Sequence, residues 1–466
     1  MKRKSVLSVC VIPLAFILAS VSVIMFLQSC TPETPYTGNT VPEYVRKWTT
    51  VVYMAADNDL EGAALADLRE MLSAAAPLKQ AGFTFLALLD RSAGYDTAAG
   101  NWSDTRLFEI GPGDFAADDF SDIRLECKNL GLADDRETEL NMAAPETLNA
   151  ILSYAMKQFP AEHYALILWG HGSGWRGYSI DEESNAVMSL PQLHAALTHL
   201  ESPLSVIAFD CCYGAMLETA YELRDDADFL IATERDEPAA GWNYSFFLEN
   251  LATSADSCTG ETGAETYARL AVEAFGKQYA DEQNASITAI ALKEMADAVT
   301  AFEKFSAACA ACLTTRSAAL FFTTEILGGT KTFLTGEYPA YSFVDAGSLA
   351  ECFLAKGIPS VSPSLLETAY SAAEALLKTL SKATVAGFAG GAVSECSMNP
   401  QSMIAVYLAT IRAGGVVEAD YPQLYVRGSG VGGQCMFVRD SMGWVPQHAV
   451  IESTSLLDHL YRMPLP

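Results

Sequence analysis

The sequence predicts a three-layer α/β/α sandwich on a mostly parallel central sheet, followed by a smaller C-terminal α+β unit. Three observations carry this reading. Short runs that are apolar from end to end recur through the first part of the chain, amphipathic helical stretches separate them, and the loops after several strands are rich in glycine and polar residues. A strand that is apolar at every position has both faces covered, which parallel sheets flanked by helices require.

In order, Trp48 to Met54 is a β-branched run that opens the sheet, and Leu60 to Leu72 has helical spacing. Phe83 to Leu89 and Arg106 to Ile110 read as strands, and Pro145 to Gln158 as a helix. Tyr164 to Trp169, Leu204 to Phe209 and Phe229 to Thr233 are three further strands, with helices fitting Pro191 to Leu200 and Ala215 to Leu223. The second half is more helical: Ala264 to Tyr279, Lys293 to Leu313 and Pro363 to Ser381, with one strand from Ser286 to Leu292. The Pro/Gly-rich stretch from Gly328 to Pro339 suggests a boundary, so an α/β domain is expected over 46–327 and a subdomain over 328–466. Met403 to Leu408 and Tyr421 to Arg427 are strand candidates for that subdomain.

The N-terminus reads as a targeting segment. Met1-Lys2-Arg3-Lys4 is a basic start, an apolar run extends from about Val6 to Leu27, and Leu27-Gln28-Ser29-Cys30 closes it. A small residue directly before a cysteine is what lipoprotein processing needs, so residues 1–29 are expected to be a signal peptide and Cys30 the acylated residue. Residues 30–45 then form a tether, and the expected location is the bacterial cell envelope, with the membrane as a partner through the lipid at Cys30. Acids outnumber bases 57 to 29, a net charge of −28. Such a surface repels nucleic acid, and no nucleic-acid partner is expected.

Three strand ends carry unusual loops: Ala55-Ala56-Asp57-Asn58-Asp59-Leu60-Glu61, Trp169-Gly170-His171-Gly172-Ser173-Gly174-Trp175 and Phe209-Asp210-Cys211-Cys212-Tyr213-Gly214. The last two supply an imidazole and a thiol 41 residues apart, the length of one crossover, so both loops can reach one rim of the sheet. Side chains alternate along a strand, so Asp210 and Cys212 share one side while Phe209 and Cys211 share the apolar other. Cys212 is therefore the candidate nucleophile and His171 the base that deprotonates it and then protonates the leaving amine. The backbone N–H groups of Gly172 and Cys212 are candidates for an oxyanion hole. Against this, a lone histidine or cysteine pair is usually structural. The remaining histidines, His163, His194, His199, His448 and His459, have no comparable setting. A serine hydrolase built on Ser173 lacks the G-x-S-x-G elbow, and a metal hydrolase lacks clustered histidines. Cys309-Ala-Ala-Cys312 sits in an alanine-rich helical stretch with no second pair, which fits two core residues better than a zinc or redox site.

These loops, in this order, resemble the clostripain family of cysteine peptidases, in the caspase-like clan that also holds legumain and gingipains. The likeness runs from about Trp48 to Phe247. It includes Val52 to Glu61, Leu168 to Trp175, Phe209 to Leu223 and the stretch from Ala232-Thr233-Glu234 to Gly241-Trp242-Asn243-Tyr244. It implies a caspase-like fold, a hydrolase acting on protein or peptide substrates, a catalytic His171 and Cys212, and cleavage after Arg or Lys through an acidic pocket at Asp210. Glu234 and Asp236 would deepen that pocket. Family members commonly mature by cutting themselves between histidine and cysteine. From Gly172 to Asp210 the only base here is Arg176. Cys211 stands where the family has alanine, which raises a vicinal Cys211–Cys212 disulfide as a means of silencing. Some relatives respond to calcium, and Asp57-Asn58-Asp59 offers oxygen ligands, but the stretch is no recognisable calcium loop and no cofactor or metal is assigned. The rival reading is a catalytically silent envelope-binding lipoprotein on the same fold.

Overall fold

Strand β1 (Arg46–Ala56) is buried along nearly its whole length and runs parallel to two neighbours, β2 (Phe83–Arg91) and β5 (Ala161–Trp169). The computed structural model describes residues 46–111, 120–174, 177–282, 285–333, 343–390, 403–407, 411–412 and 415–416. The signal segment, Cys30, the tether, Arg176 and the candidate strand Tyr421 to Arg427 lie outside the described residues.

With β3 (Arg106–Ile110), β4 (Arg124–Leu125), β8 (Leu204–Asp210), β9 (Ala227–Ala232), β10 (Ser286–Ala291) and β13 (Thr384–Ala389), the sheet has nine strands in the order β13-β10-β9-β8-β5-β1-β2-β3-β4. The five central strands, β9 to β2 in that order, are parallel. Both edges are antiparallel, with β3 and β4 on one side and β10 and β13 on the other. The sheet is thus mixed, with the parallel part confined to the centre, where helical crossovers cover both faces.

Two buried clusters flank the sheet. Along β1, Val51, Tyr53 and Ala55 enter one cluster while Val52, Met54 and Ala56 enter the other. Strand β8 divides in the same way, Ile207 and Phe209 against Val206 and Ala208. This two-sided burial is what the uninterrupted apolar runs reflect. The helix over Pro145–Gln158 and the strand over Arg106–Ile110 have the bounds read from the sequence. Helices Tyr244–Thr253 and Ala346–Lys356 and strand β13 add elements that periodicity did not single out. Beyond residue 327, β13 pairs with β10, and β14 (Ala405–Tyr407) pairs with β12 (Phe343–Asp345). Ala405 N also donates to Ala215 O at 2.9 Å, so the C-terminal segment is stitched to the loop beyond β8. Among the described residues, no helix is long and apolar enough to cross a membrane.

Candidate functional site

The site forms where β1, β5 and β8 end. The parallel register sets Trp169 beside Asp210, and Gly170 N donates to Asp210 O at 3.2 Å, so His171 and Cys212, each two residues beyond that pair, follow the ends of adjacent strands. Glycine is required at both steps. Gly170 has φ +133°, and a Cβ there would stand 2.7 Å from Ala55 O. A Cβ on Gly172 would stand 2.3 Å from Cys212 O and 2.8 Å from Cys211 Sγ. The histidine loop therefore lies directly on the cysteine loop, closer than any side chain would allow.

His171, Cys212, Asp210, Trp169, Glu237 and Gly241 line one cleft of about 130 Å³. The Cys212 thiol accepts from Glu237 N at 3.3 Å and is free, as is that of Cys211. Burial pushes the Cys212 thiol up, and the carboxylates of Asp236 and Asp210 add to this, against the Glu237 N–H that favours the thiolate. A half-buried thiol of this kind stays protonated at neutral pH unless a base takes the proton. The imidazole of His171 is partly exposed at the rim, and its Nε2 lies 2.6 Å from Asp59 Oδ1. Asp59 belongs to the loop after β1, whose base is fixed by a buried ion pair between Glu61 and Arg91 at 2.5 Å, with Glu61 also accepting from Asp96 N. Cys211 is buried in the apolar cluster, on the side that strand alternation assigns to it.

The inner wall of the cleft is acidic. Asp210 is buried and accepts from Tyr244 OH at 2.7 Å. Burial pushes its carboxyl up to about 7. Asp67 accepts from Trp169 Nε1 at 2.7 Å, and burial together with the charge of Asp210 pushes it up to about 9. Burial and Asp210 also hold the Glu237 carboxyl well above its ordinary range, and both its oxygens are shut off from solvent. Gly241 packs onto this group, where a Cβ would come within 3.0 Å of Asp210 Oδ1.

The expected pocket residues are only partly brought together. Glu234 does not line the cleft: it is buried and paired with Lys331 at 2.5 Å, which ties the strand end to the C-terminal segment. Asp236 is exposed and accepts from Tyr213 OH at 2.5 Å. Glu237, one residue further on, takes the place at the wall. The sequence offered no reason to prefer it over Asp236, since the turn after β9 decides which acid faces inward. Asp59 sat in a loop that reads as unusual, without a role. Asp67 lies in an ordinary amphipathic helix, and nothing local marks it. Cys309 and Cys312 are buried in the core of one helix, consistent with packing residues.

The fold and rim together define a caspase-like three-layer α/β/α protein with a thiol and an imidazole opening on one cleft. Residues 52–326 match the model of the clostripain family, and the chain belongs to that family. It is 27% identical to clostripain of Hathewaya histolytica over 232 residues, 44% of this chain and 42% of clostripain, so the match spans less than half of that relative. Among solved structures, it is similar to an inactive zymogen of a C11 protease from Parabacteroides distasonis, with a TM-score of 0.53 and 17% identity, covering 90% of this chain and 99% of the other. A secreted C11 cysteine protease of Bacteroides thetaiotaomicron, iotapain, gives a TM-score of 0.54 at 15% identity, covering 78% and 93%. At such identities the likeness is one of fold.

Proposed function

We propose that this chain is a cysteine endopeptidase that uses Cys212 as nucleophile and His171 as its acid–base partner. The observation that carries the reading is the shared cleft, lined both by the Cys212 thiol, which desolvation favours in its protonated form, and by the His171 imidazole, whose Nε2 is engaged by Asp59. With Nε2 engaged, the other ring nitrogen is left to take the thiol proton. The thiolate adds to the scissile carbonyl carbon, and the carbonyl oxygen becomes an oxyanion facing the N–H groups of Gly172 and Cys212. The neighbouring ladder contact is made by Ser173 N to Gly177 O, which leaves Gly172 N–H outside it. Each such donor is worth roughly 3 kcal/mol in acyl-transfer sites. The imidazolium then protonates the leaving amine. Water, deprotonated by the same imidazole, hydrolyses the thioester and restores both groups.

The acidic wall supports a preference for Arg or Lys before the cut. Asp67, Asp210 and Glu237 crowd their charges, and among the described residues no ion pair reaches them, so a guanidinium or ammonium entering beside Cys212 restores their ionised forms and is held in return. Anchoring at the envelope through Cys30 belongs to the same proposal and rests on the tetrad Leu27 to Cys30.

A thiol-reactive peptide ending in arginine tests the reading on the purified protein. Labelling is expected to vanish in Cys212→Ala, to fall strongly in His171→Ala and to persist in Cys211→Ala. Labelling indifferent to His171→Ala, or none at all, would favour a silent binding lipoprotein on this fold. Profiling cleavage of a peptide library tests the pocket separately: acidic or small residues before the cut would overturn the basic preference.

A further inference from the structure

The residue after Cys212 has a strained backbone. Tyr213 has φ +59°, the left-handed region that a bulky side chain adopts only where its surroundings hold it. Its main chain is pinned on both sides. Tyr213 N donates to Arg235 O at 3.0 Å, and Tyr213 O accepts from Tyr178 OH at 3.2 Å. The side chain is buried, with its hydroxyl donating to Asp236 Oδ1 at 2.5 Å and its ring stacked on Phe343, 4.6 Å between centroids.

Phe343 opens β12, is fully buried, and lies against the histidine loop as well. A Cβ on Gly174 would stand 3.1 Å from Phe343 Cε1 and 2.5 Å from Met216 Sδ. One aromatic side chain thus packs on the backbone that follows His171 and on the ring that follows Cys212. Neither Tyr213 nor Phe343 lines the cleft, so both act from behind it.

This support is itself anchored. Strand β12 pairs with β11 (Thr332–Phe333) on one side and β14 on the other, and β14 reaches the cysteine loop through Ala405 N and Ala215 O. Lys331, just before β11, pairs with buried Glu234 beyond β9 and accepts at its carbonyl from Asp345 N at 3.0 Å. Phe343 is therefore held by a small sheet tied at two points to the ends of the central strands.

We propose that Phe343 is a positioning residue for the thiol. Its stack on Tyr213 holds the left-handed turn after Cys212, and its contact at Gly174 keeps the histidine loop aligned with that turn. The role rests on the peptidase reading above and makes the C-terminal segment a working part of the enzyme. A reacting group displaced by about 1 Å loses up to about 100-fold in rate.

The test compares Phe343→Ala and Phe343→Leu with Phe353→Ala, all in the full chain. Phe353 is buried in helix Ala346–Lys356 with Phe305 and Tyr370 as ring partners, so its truncation opens a similar cavity in the same C-terminal segment. Phe343→Ala should lower kcat on an arginyl peptide, and the rate of trap labelling at Cys212, by about 10- to 100-fold with KM within about 2-fold. Phe343→Leu refills much of the volume without a flat face. It should regain most of the loss in Tm and only part of the loss in kcat, and it carries the comparison if Phe343→Ala does not fold. Phe353→Ala should lose as much in Tm as Phe343→Ala yet keep kcat within about 2-fold of wild type. Hydrogen–deuterium exchange reads the same support without activity: the amides of Tyr213 and Ala215, bonded to Arg235 O and Thr233 O, should exchange faster in Phe343→Ala and not in Phe353→Ala. A wild-type protein that takes no label would bring down the peptidase reading and this role with it. A labelled wild type whose Phe343 variants lose no more kcat than Phe353→Ala, or lose it together with a rise in KM, would overturn the positioning role alone.

Discussion

Asp59 and His171, 112 residues apart in the chain, meet through a 2.6 Å contact between Oδ1 and Nε2 at the rim of the sheet. The contact joins the loop after β1 to the loop after β5 and engages one of the two ring nitrogens of His171. Because both side chains are partly exposed, with 69% of Asp59 and 37% of His171 open to solvent, the pair orients the ring more than it stabilises the fold.

Asp59→Ala should therefore lower kcat on a peptide substrate by about 3- to 10-fold with KM unchanged, since the acidic wall proposed to receive the substrate is untouched. Asp59→Asn, which keeps an acceptor, should recover part of the loss. Steady-state kinetics decide it: an equal change in KM, or none in kcat, would remove Asp59 from the positioning of His171.

Gly172→Ala is expected to be damaging for steric reasons alone. The added methyl would collide with the Cys212 carbonyl, which is backbone and cannot swing aside. Overpacking of this kind costs about 1–3 kcal/mol. Urea denaturation should show that loss, together with loss of peptide-trap labelling as the two loops part. A variant with wild-type midpoint and labelling would contradict the closeness of these loops.

Asp210→Asn preserves the volume and the acceptor for Tyr244 OH while deleting the carboxyl from the wall of the cleft. Cleavage after Arg or Lys should fall by roughly 100-fold in kcat/KM, the scale of a buried charge pair losing one partner. Slow cleavage after uncharged residues should be little affected. A uniform fall across all substrates would mean that Asp210 serves the loop and not the pocket.

The acidic wall also sets a pH dependence of stability. Asp67 and Asp210 are raised in the folded chain to about 9 and about 7, against an ordinary value of 3.8. The folded state therefore binds more protons than the unfolded state between those limits. The stability from their protonated forms is complete below about pH 4 and is lost as pH rises through 7 and on towards 9. Tm should accordingly be higher at pH 5 than at pH 8.5, and Asp67→Asn should narrow the difference by raising the value at pH 8.5. An unchanged pH profile in that variant would show that Asp67 does not carry the shift.

Much of this molecule was legible before any coordinates. Uninterrupted apolar runs such as Val51 to Met54 and Val206 to Phe209 are buried on both faces, and this two-sided burial is a property that local sequence encodes directly. The same holds for Gly170 and Gly172, whose spacing around His171 marks backbone packed against backbone, and for the alternation that puts Cys211 in the core. The antiparallel edges were not legible, because whether β10 and β13 pair up or down depends on where the chain returns and not on their composition.

The sequence by itself therefore determined the parallel centre of the sheet and the two loops that carry sulfur and imidazole, because apolar periodicity and turn chemistry are local. Only the tertiary structure decided which acids matter. Asp59 reaches His171, Glu237 and Asp67 line or back the cleft, Glu234 is spent on Lys331, and Asp57, Asp90 and Asp181 converge in one buried space. A carboxylate's role is set by what surrounds it, and those surroundings come from segments far apart in the chain.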